Sequence, residues 1–314
     1  MRIEELKWND WTAKINVSRG GNCIGLRDTK HNCMILREPD YEKGLDNPYL
    51  YGMPILFPVN RISGGKFEFE GRIYEFPINE PATNCFLHGT LHETEFQVLE
   101  KEEHRILLSY AAKKNEYHKF PHAFEIRMEY VLQENGMIHK TEIRNLSEEN
   151  MPVFLGFHTT FQLPFAEGST LEDLCIKVNI ADEFERNMGN YLPTGRILSH
   201  DKVTQNLIQG KFVPSQKLSR HYRTEGNGVM SVTDLKNGIT VVYKNDSKFG
   251  YRLIYGEGTS FICLEPQNCL ANCPNAPFER KDSGFKYLAP GEKVNYESEI
   301  ILLTDNKQEF SQPL

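Results

Sequence analysis

The chain has 314 residues, of which 25% are charged and 39% belong to the hydrophobic set, and its formal net charge is −7. A chain of this length buries roughly three quarters of its unfolded surface, so the fold needs neither disulfides nor a structural metal. The ordinary content of 23 Gly and 16 Pro excludes collagenous and low-complexity classes, and the acidic balance excludes a nucleic-acid partner held by phosphate neutralisation.

From the N-terminus, Met1 to Val17 carries Glu4, Glu5 and Asp10 among its apolar residues, unlike a signal peptide. No later run approaches the ~18 apolar residues of a membrane span. The seven cysteines are odd in number and irregularly spaced, which reads as reduced thiols in a cytoplasm. Short strands are predicted at Ala13–Val17, Lys66–Glu70, Arg72–Phe76, Gln97–Glu100 and Ile106–Ala111. From His122 to Gln133 the alternate residues Phe124, Ile126, Met128, Tyr130 and Leu132 point one way, a half-buried strand of unusual length. It meets Asn135-Gly136, a strong hairpin signal, and returns as Ile138–Asn145. A second pair, Val229–Leu235 and Ile239–Tyr243, flanks Asn237-Gly238, and strands follow at Phe249–Ile254 and Asn295–Leu302. The helix candidates are Glu183–Met188 and Lys202–Gln209. Strand after strand without a linker predicts one all-β domain over 1–314, a sandwich or barrel.

Four stretches place polar residues inside apolar surroundings. Pro54 to Ile62 ends in Asn60-Arg61, where a guanidinium fork suits a sugar or carboxylate, or holds a loop together. His88 precedes Gly89 after Phe86-Leu87, a weak signal for which a satisfied core histidine is the commoner explanation. In Gly156-Phe157-His158-Thr159-Thr160-Phe161, His158 and Thr160 share one strand face and Phe157, Thr159 and Phe161 the other. The Phe rings could stack on a sugar or lie in the core. Glu265 follows four apolar residues and precedes Pro266, a costly place for a carboxylate without a partner. It marks a strand end at a rim or a functional site. Cys263, Cys269 and Cys273 lack a second pair at zinc-site spacing, so no metal is expected. P-loop, dinucleotide and GxSxG signatures are absent. His118 and His122 are placed on a surface loop, and His92 is read as a solvent-facing neighbour of His88.

Taken in order, these stretches resemble the aldose 1-epimerase (galactose mutarotase-like) family. The matching segments are Phe57 to Ile62 with Gly64 to Gly71, Leu87-His88-Gly89, Phe120-Pro121 with the long strand, Gly156 to Phe161, Leu192 to Gly195, Leu264-Glu265-Pro266 and Pro290-Gly291-Glu292. The resemblance implies a large antiparallel β-sandwich that interconverts the anomers of a hexose without metal or organic cofactor, as a cytoplasmic monomer or homodimer. It implies Glu265 as general base and His158 as general acid, with Arg61 and His88 contacting the sugar and Asn60 adjoining them. The two catalytic groups are expected to face each other across a few ångströms of open cleft. The acidic sugar contact expected between Gly195 and Glu265 has no match. Lys217 to Arg223 stands there instead, and Arg220, His221 and Arg223 would suit an anionic sugar such as a hexose phosphate, or form a solvated loop. A hexose-6-phosphate 1-epimerase and a non-catalytic carbohydrate-binding sandwich are the alternatives. Sugar binding without faster anomer exchange would favour the latter.

Overall fold

The computed structural model describes residues 1–42, 44–45 and 47–304; the last ten positions of the expected 1–314 unit lie outside it. Phe124–Gln133 and Gly136–Asn145 pair antiparallel in unbroken register from Phe124↔Asn145 to Gln133↔Gly136. The five alternating apolar residues of the first strand are all buried, as period-two patterning requires. The turn is displaced by one residue. Because Gln133 pairs with Gly136, the loop is Glu134-Asn135. Gly136 serves a different purpose: a Cβ there would stand 1.9 Å from the Ile300 carbonyl oxygen, so only glycine permits this approach of strands.

An eight-stranded sheet grows around that hairpin. Its order is Gln97–Lys101, Arg105–Ala112, Phe124–Gln133, Gly136–Asn145, Lys293–Thr304, Ile239–Asn245, Gly228–Asp234 and Leu174–Val178. The facing sheet runs Pro193–Leu198, Asp182–Arg186, Lys217–Arg223, Tyr251–Glu257, Phe261–Gln267, Gly156–Phe157 and Ile55–Leu56, with Thr160–Gln162 also paired to Phe261–Gln267. All these pairs are antiparallel. The sheets meet through Phe157, whose ring lies 4.6 Å from that of His139, and Phe161, 5.5 Å from Tyr243. One apolar core spans both. Each ring it buries contributes about 1.5–3 kcal/mol, and the architecture is the large antiparallel β-sandwich expected.

Local differences have physical reasons. Lys202–Gln209 is the predicted helix, capped by Asp201, which accepts from the Thr204 N–H at 3.0 Å, and closed by Gly210 at φ 70°. The helix expected at Glu183–Met188 is instead the strand Asp182–Arg186, because partners on both sides satisfy its backbone. Lys217 to Arg223 is likewise a strand and not a solvated loop. His122 is buried, with its ring between the Tyr74 hydroxyl and the Ser147 hydroxyl, and so does not face solvent. His118 lies in the expected surface turn, half-buried, its ring bonded to the Thr90 hydroxyl at 2.6 Å. Among the described residues no helix is long and apolar enough to cross a membrane.

Candidate active site

Alternation along Phe261–Gln267 sends Ile262 and Leu264 into the inter-sheet core. Cys263, Glu265 and Gln267 therefore share the opposite face. On the adjacent strands, the chain from Gly156 to Gln162 divides as its pattern predicts. Thr159 donates or accepts at the Tyr243 hydroxyl across the core, 3.0 Å away, and Phe157 and Phe161 are buried core rings and not a sugar platform. His158 and Thr160 turn the other way, toward Glu265 and Cys263.

His158 Nε2 lies 3.3 Å from Glu265 Oε1. The expected open gap between the two groups is absent, because adjacent strands set their side chains beside each other. The second carboxylate oxygen, Oε2, accepts from Gln267 Nε2 at 3.1 Å, and Gln267 Oε1 accepts from Asn60 Nδ2 at 3.4 Å. Oε1 itself is buried without a hydrogen-bond partner, as is His158 Nδ1. Leaving a buried acceptor unsatisfied costs about 1–3 kcal/mol, so this edge of the pair is poised for an incoming O–H. Glu265 has 0% exposure and His158 7%. Burial pushes the Glu265 carboxyl up to about 8, against smaller lowering by Gln267, Arg186 and Arg61. Burial also drives the His158 imidazole down to about 3. Between those limits the pair holds one proton in total.

A cleft of about 660 Å³ adjoins the pair, lined by Tyr49, Asn60, Arg61, His88 and His158 and by Arg186, Tyr191, Lys217, Ser219 and Glu257. That volume suits a small ligand. Four of the five residues singled out from the sequence, Asn60, Arg61, His88 and His158, line this cleft, and the fully buried Glu265 joins them through its 3.3 Å contact with His158. Asn60 (φ 60°) and His88 (φ 61°) both adopt left-handed backbone, and the His88 N–H donates to the Asn60 carbonyl at 2.9 Å. Such strain persists where surrounding structure enforces it, commonly at a functional site. His88 is neutral, held well below the usual range by burial and then by His158, Arg61 and His92. Arg61 is clamped by Glu80 through two bonds of 2.6 and 2.7 Å, and its guanidinium lies 4.7 Å from the Tyr191 ring centre. His92 is buried and not solvent-facing, its ring 4.5 Å from that of Tyr49.

Gly89 anchors the His88 backbone. Its φ is +63°, and a Cβ would fall 1.9 Å from the Phe57 carbonyl oxygen. Gly89→Ala is therefore expected to destabilise the protein by about 3 kcal/mol or more, read as a lower urea midpoint. An unchanged midpoint would show that the loop shifts freely.

The sequence reading missed Tyr49, Arg186 and Gln267. Gln267 was accessible, since residue i+2 from Glu265 on a strand shares its face. Tyr49 and Arg186 carry no local signal. The basic stretch is committed elsewhere. Arg220 pairs with Glu183 at 2.9 Å and Asp201 at 2.8 Å, and Arg223 with Asp182. His221 is sealed beside Phe184 and Tyr251, so none of these three side chains is free to hold a phosphate.

His158, Cys263 and Glu265 bring their donor atoms within 4.8 Å of one another. Burial raises the Cys263 thiol well above its usual range and Glu265 to about 8. Two of the three donors therefore keep protons near neutrality, and a cation would have to displace both.

The family description "Aldose 1-epimerase" matches residues 10–300. The chain is 28% identical over 269 residues to protein LacX (chromosomal) of Lactococcus lactis subsp. lactis, covering 84% of this chain and 83% of LacX. It resembles the structure of a galactose mutarotase-like protein from Clostridium acetobutylicum at TM-score 0.89 and 27% identity, over 97% and 99% of the two chains. A galactose mutarotase related enzyme from Lactobacillus acidophilus superposes at TM-score 0.72 and 18% identity, over 97% and 99%. At that identity the likeness speaks for the fold alone.

Proposed function

The chain belongs to the aldose 1-epimerase family, and from that premise we propose that it interconverts the α and β anomers of a hexose at the Glu265–His158 pair. The observation that carries this reading is the buried, unpartnered Oε1 of Glu265 set 3.3 Å from an imidazole nitrogen. A mutarotase must take a proton from O1 while giving one to O5. Those oxygens are bonded to the same carbon, so groups that serve both belong side by side. The sugar then lies over the pair and parts its contact, and each new bond falls within hydrogen-bond reach.

At neutrality the shared proton rests on Glu265, and its transfer across the 3.3 Å contact to His158 Nε2 gives the productive state, in which Glu265 is a carboxylate and His158 an imidazolium. Oε1 takes the O1 proton, Nε2 gives its proton to O5, the C1–O5 bond breaks and the C1–O1 double bond forms. Rotation about C1–C2 presents the other aldehyde face, and the reverse transfers close the ring. The pair holds one proton before and after each step, so no external acid or base is consumed. Gln267 and Asn60 keep the carboxyl from turning, and Arg61 and His88 donate to sugar oxygens from the cleft wall.

NMR exchange spectroscopy of the anomeric protons tests the proposal. Exchange well above the buffer rate is expected, and exchange at the buffer rate for every aldose tried would refute it. The pH dependence has a definite sign. Because the pair must hold one proton, kcat/KM should be flat through neutrality and fall as Glu265 ionises above about 8. A rate still climbing at that pH would point to a different base.

A further inference from the structure

We propose that Arg186 selects the substrate of this cleft, and that the substrate is an aldose carrying one carboxylate rather than a neutral hexose. The inference rests on the mutarotase reading above and names the substrate class for that site. Three cations line the cleft: Arg61, Arg186 and Lys217. Arg61 is neutralised by Glu80, and Lys217 by Glu257 at 2.8 Å. Arg186 stands apart. Its Nη2 donates to the Ser219 carbonyl at 2.5 Å and the Ser219 hydroxyl at 2.9 Å, and among the described residues it forms no ion pair. Its Nε and Nη1 make no hydrogen bond there.

The third carboxyl, Glu265, does not compensate, because burial keeps it protonated up to about 8. Burial, and then the repulsion of Arg61, lower the Arg186 guanidinium to about 10, which leaves it charged at neutral pH. The cleft of a chain with net charge −7 thus holds one cation in excess. An uncompensated charge in a partly dry site is costly, and a singly charged oxyanion relieves it through charge-assisted hydrogen bonds. A phosphate dianion would overshoot by one charge. The wall expected to carry an acidic sugar contact carries Ser219 and a self-neutralised Lys217–Glu257 pair, which suits the same exchange of charge.

Anomer exchange is compared for galactose against galacturonate, and for glucose against glucuronate and glucose 6-phosphate. The uronates should show kcat/KM at least about tenfold above their neutral partners, with an advantage that shrinks as salt rises. R186Q should bring the uronate-to-hexose ratio close to one through KM, while R186K keeps most of it. Binding is read separately by calorimetry with 1,5-anhydroglucitol and its 6-carboxylate, which have no anomeric hydroxyl. Tighter binding of the acid that R186Q removes sustains the inference even if no sugar is exchanged, the result that would instead sink the mutarotase reading. Equal binding of acid and neutral sugar, preference for the phosphate, or a ratio unchanged in R186Q overturns it.

Discussion

Glu265→Gln is expected to lower kcat/KM for anomer exchange by ~10³-fold or more, into the upper range of what one positioned acid/base group contributes. The amide preserves shape and still meets Gln267, but it can neither take the O1 proton nor hold the proton that the pair shares. The same variant should be the more stable protein in alkali. The folded state raises the Glu265 pKa from 4.5 to about 8, so the carboxyl's contribution is complete below 4.5 and is lost as pH rises toward 8. Glutamine suffers no such loss. Its melting temperature should match the parent's at pH 5 and exceed it by several degrees at pH 8, in line with a difference of a few kcal/mol. Lost exchange together with gained stability separates a catalytic role from a structural one. Full exchange in this variant would remove Glu265 from the mechanism.

His158→Gln should reduce exchange by ~10²–10³-fold, since O5 then leaves without a proton donor. More telling is the double variant. If Glu265 and His158 act as one proton-holding unit, removing both should cost no more than about tenfold beyond the worse single change. Independent groups would multiply their losses. Multiplicative losses, read from the same NMR experiment, would mean that the 3.3 Å contact has no part in the chemistry.

The features legible in the sequence are those that period-two alternation and local cost expose. Phe124 to Leu132 announced a half-buried strand, and the opposed faces of His158 and Phe157 followed from parity alone. Glu265 stood out because an acid after four apolar residues is expensive. The distance between the two groups was not legible. It depends on which strand lies beside which, and that is fixed by packing of segments about a hundred residues apart. The same gap explains Arg220 and Arg223, whose carboxylate partners Glu183, Asp201 and Asp182 come from neighbouring elements that one strand's spelling does not reveal. Arg186 was hidden differently. Its segment has the composition of a short helix, and only pairing on both edges makes it a strand that delivers a guanidinium to the cleft.

The position of Lys293–Thr304 between Gly136–Asn145 and Ile239–Asn245 has a consequence for biosynthesis. Both neighbours leave the ribosome first, and their facing edges stay unzipped until residue 304 emerges. At ~5–20 residues per second the older edge waits on the order of ten seconds or more, a template for stray strands from other nascent chains. A message truncated ahead of that segment would leave the gap open for good, and its product should be a client of chaperones and proteases.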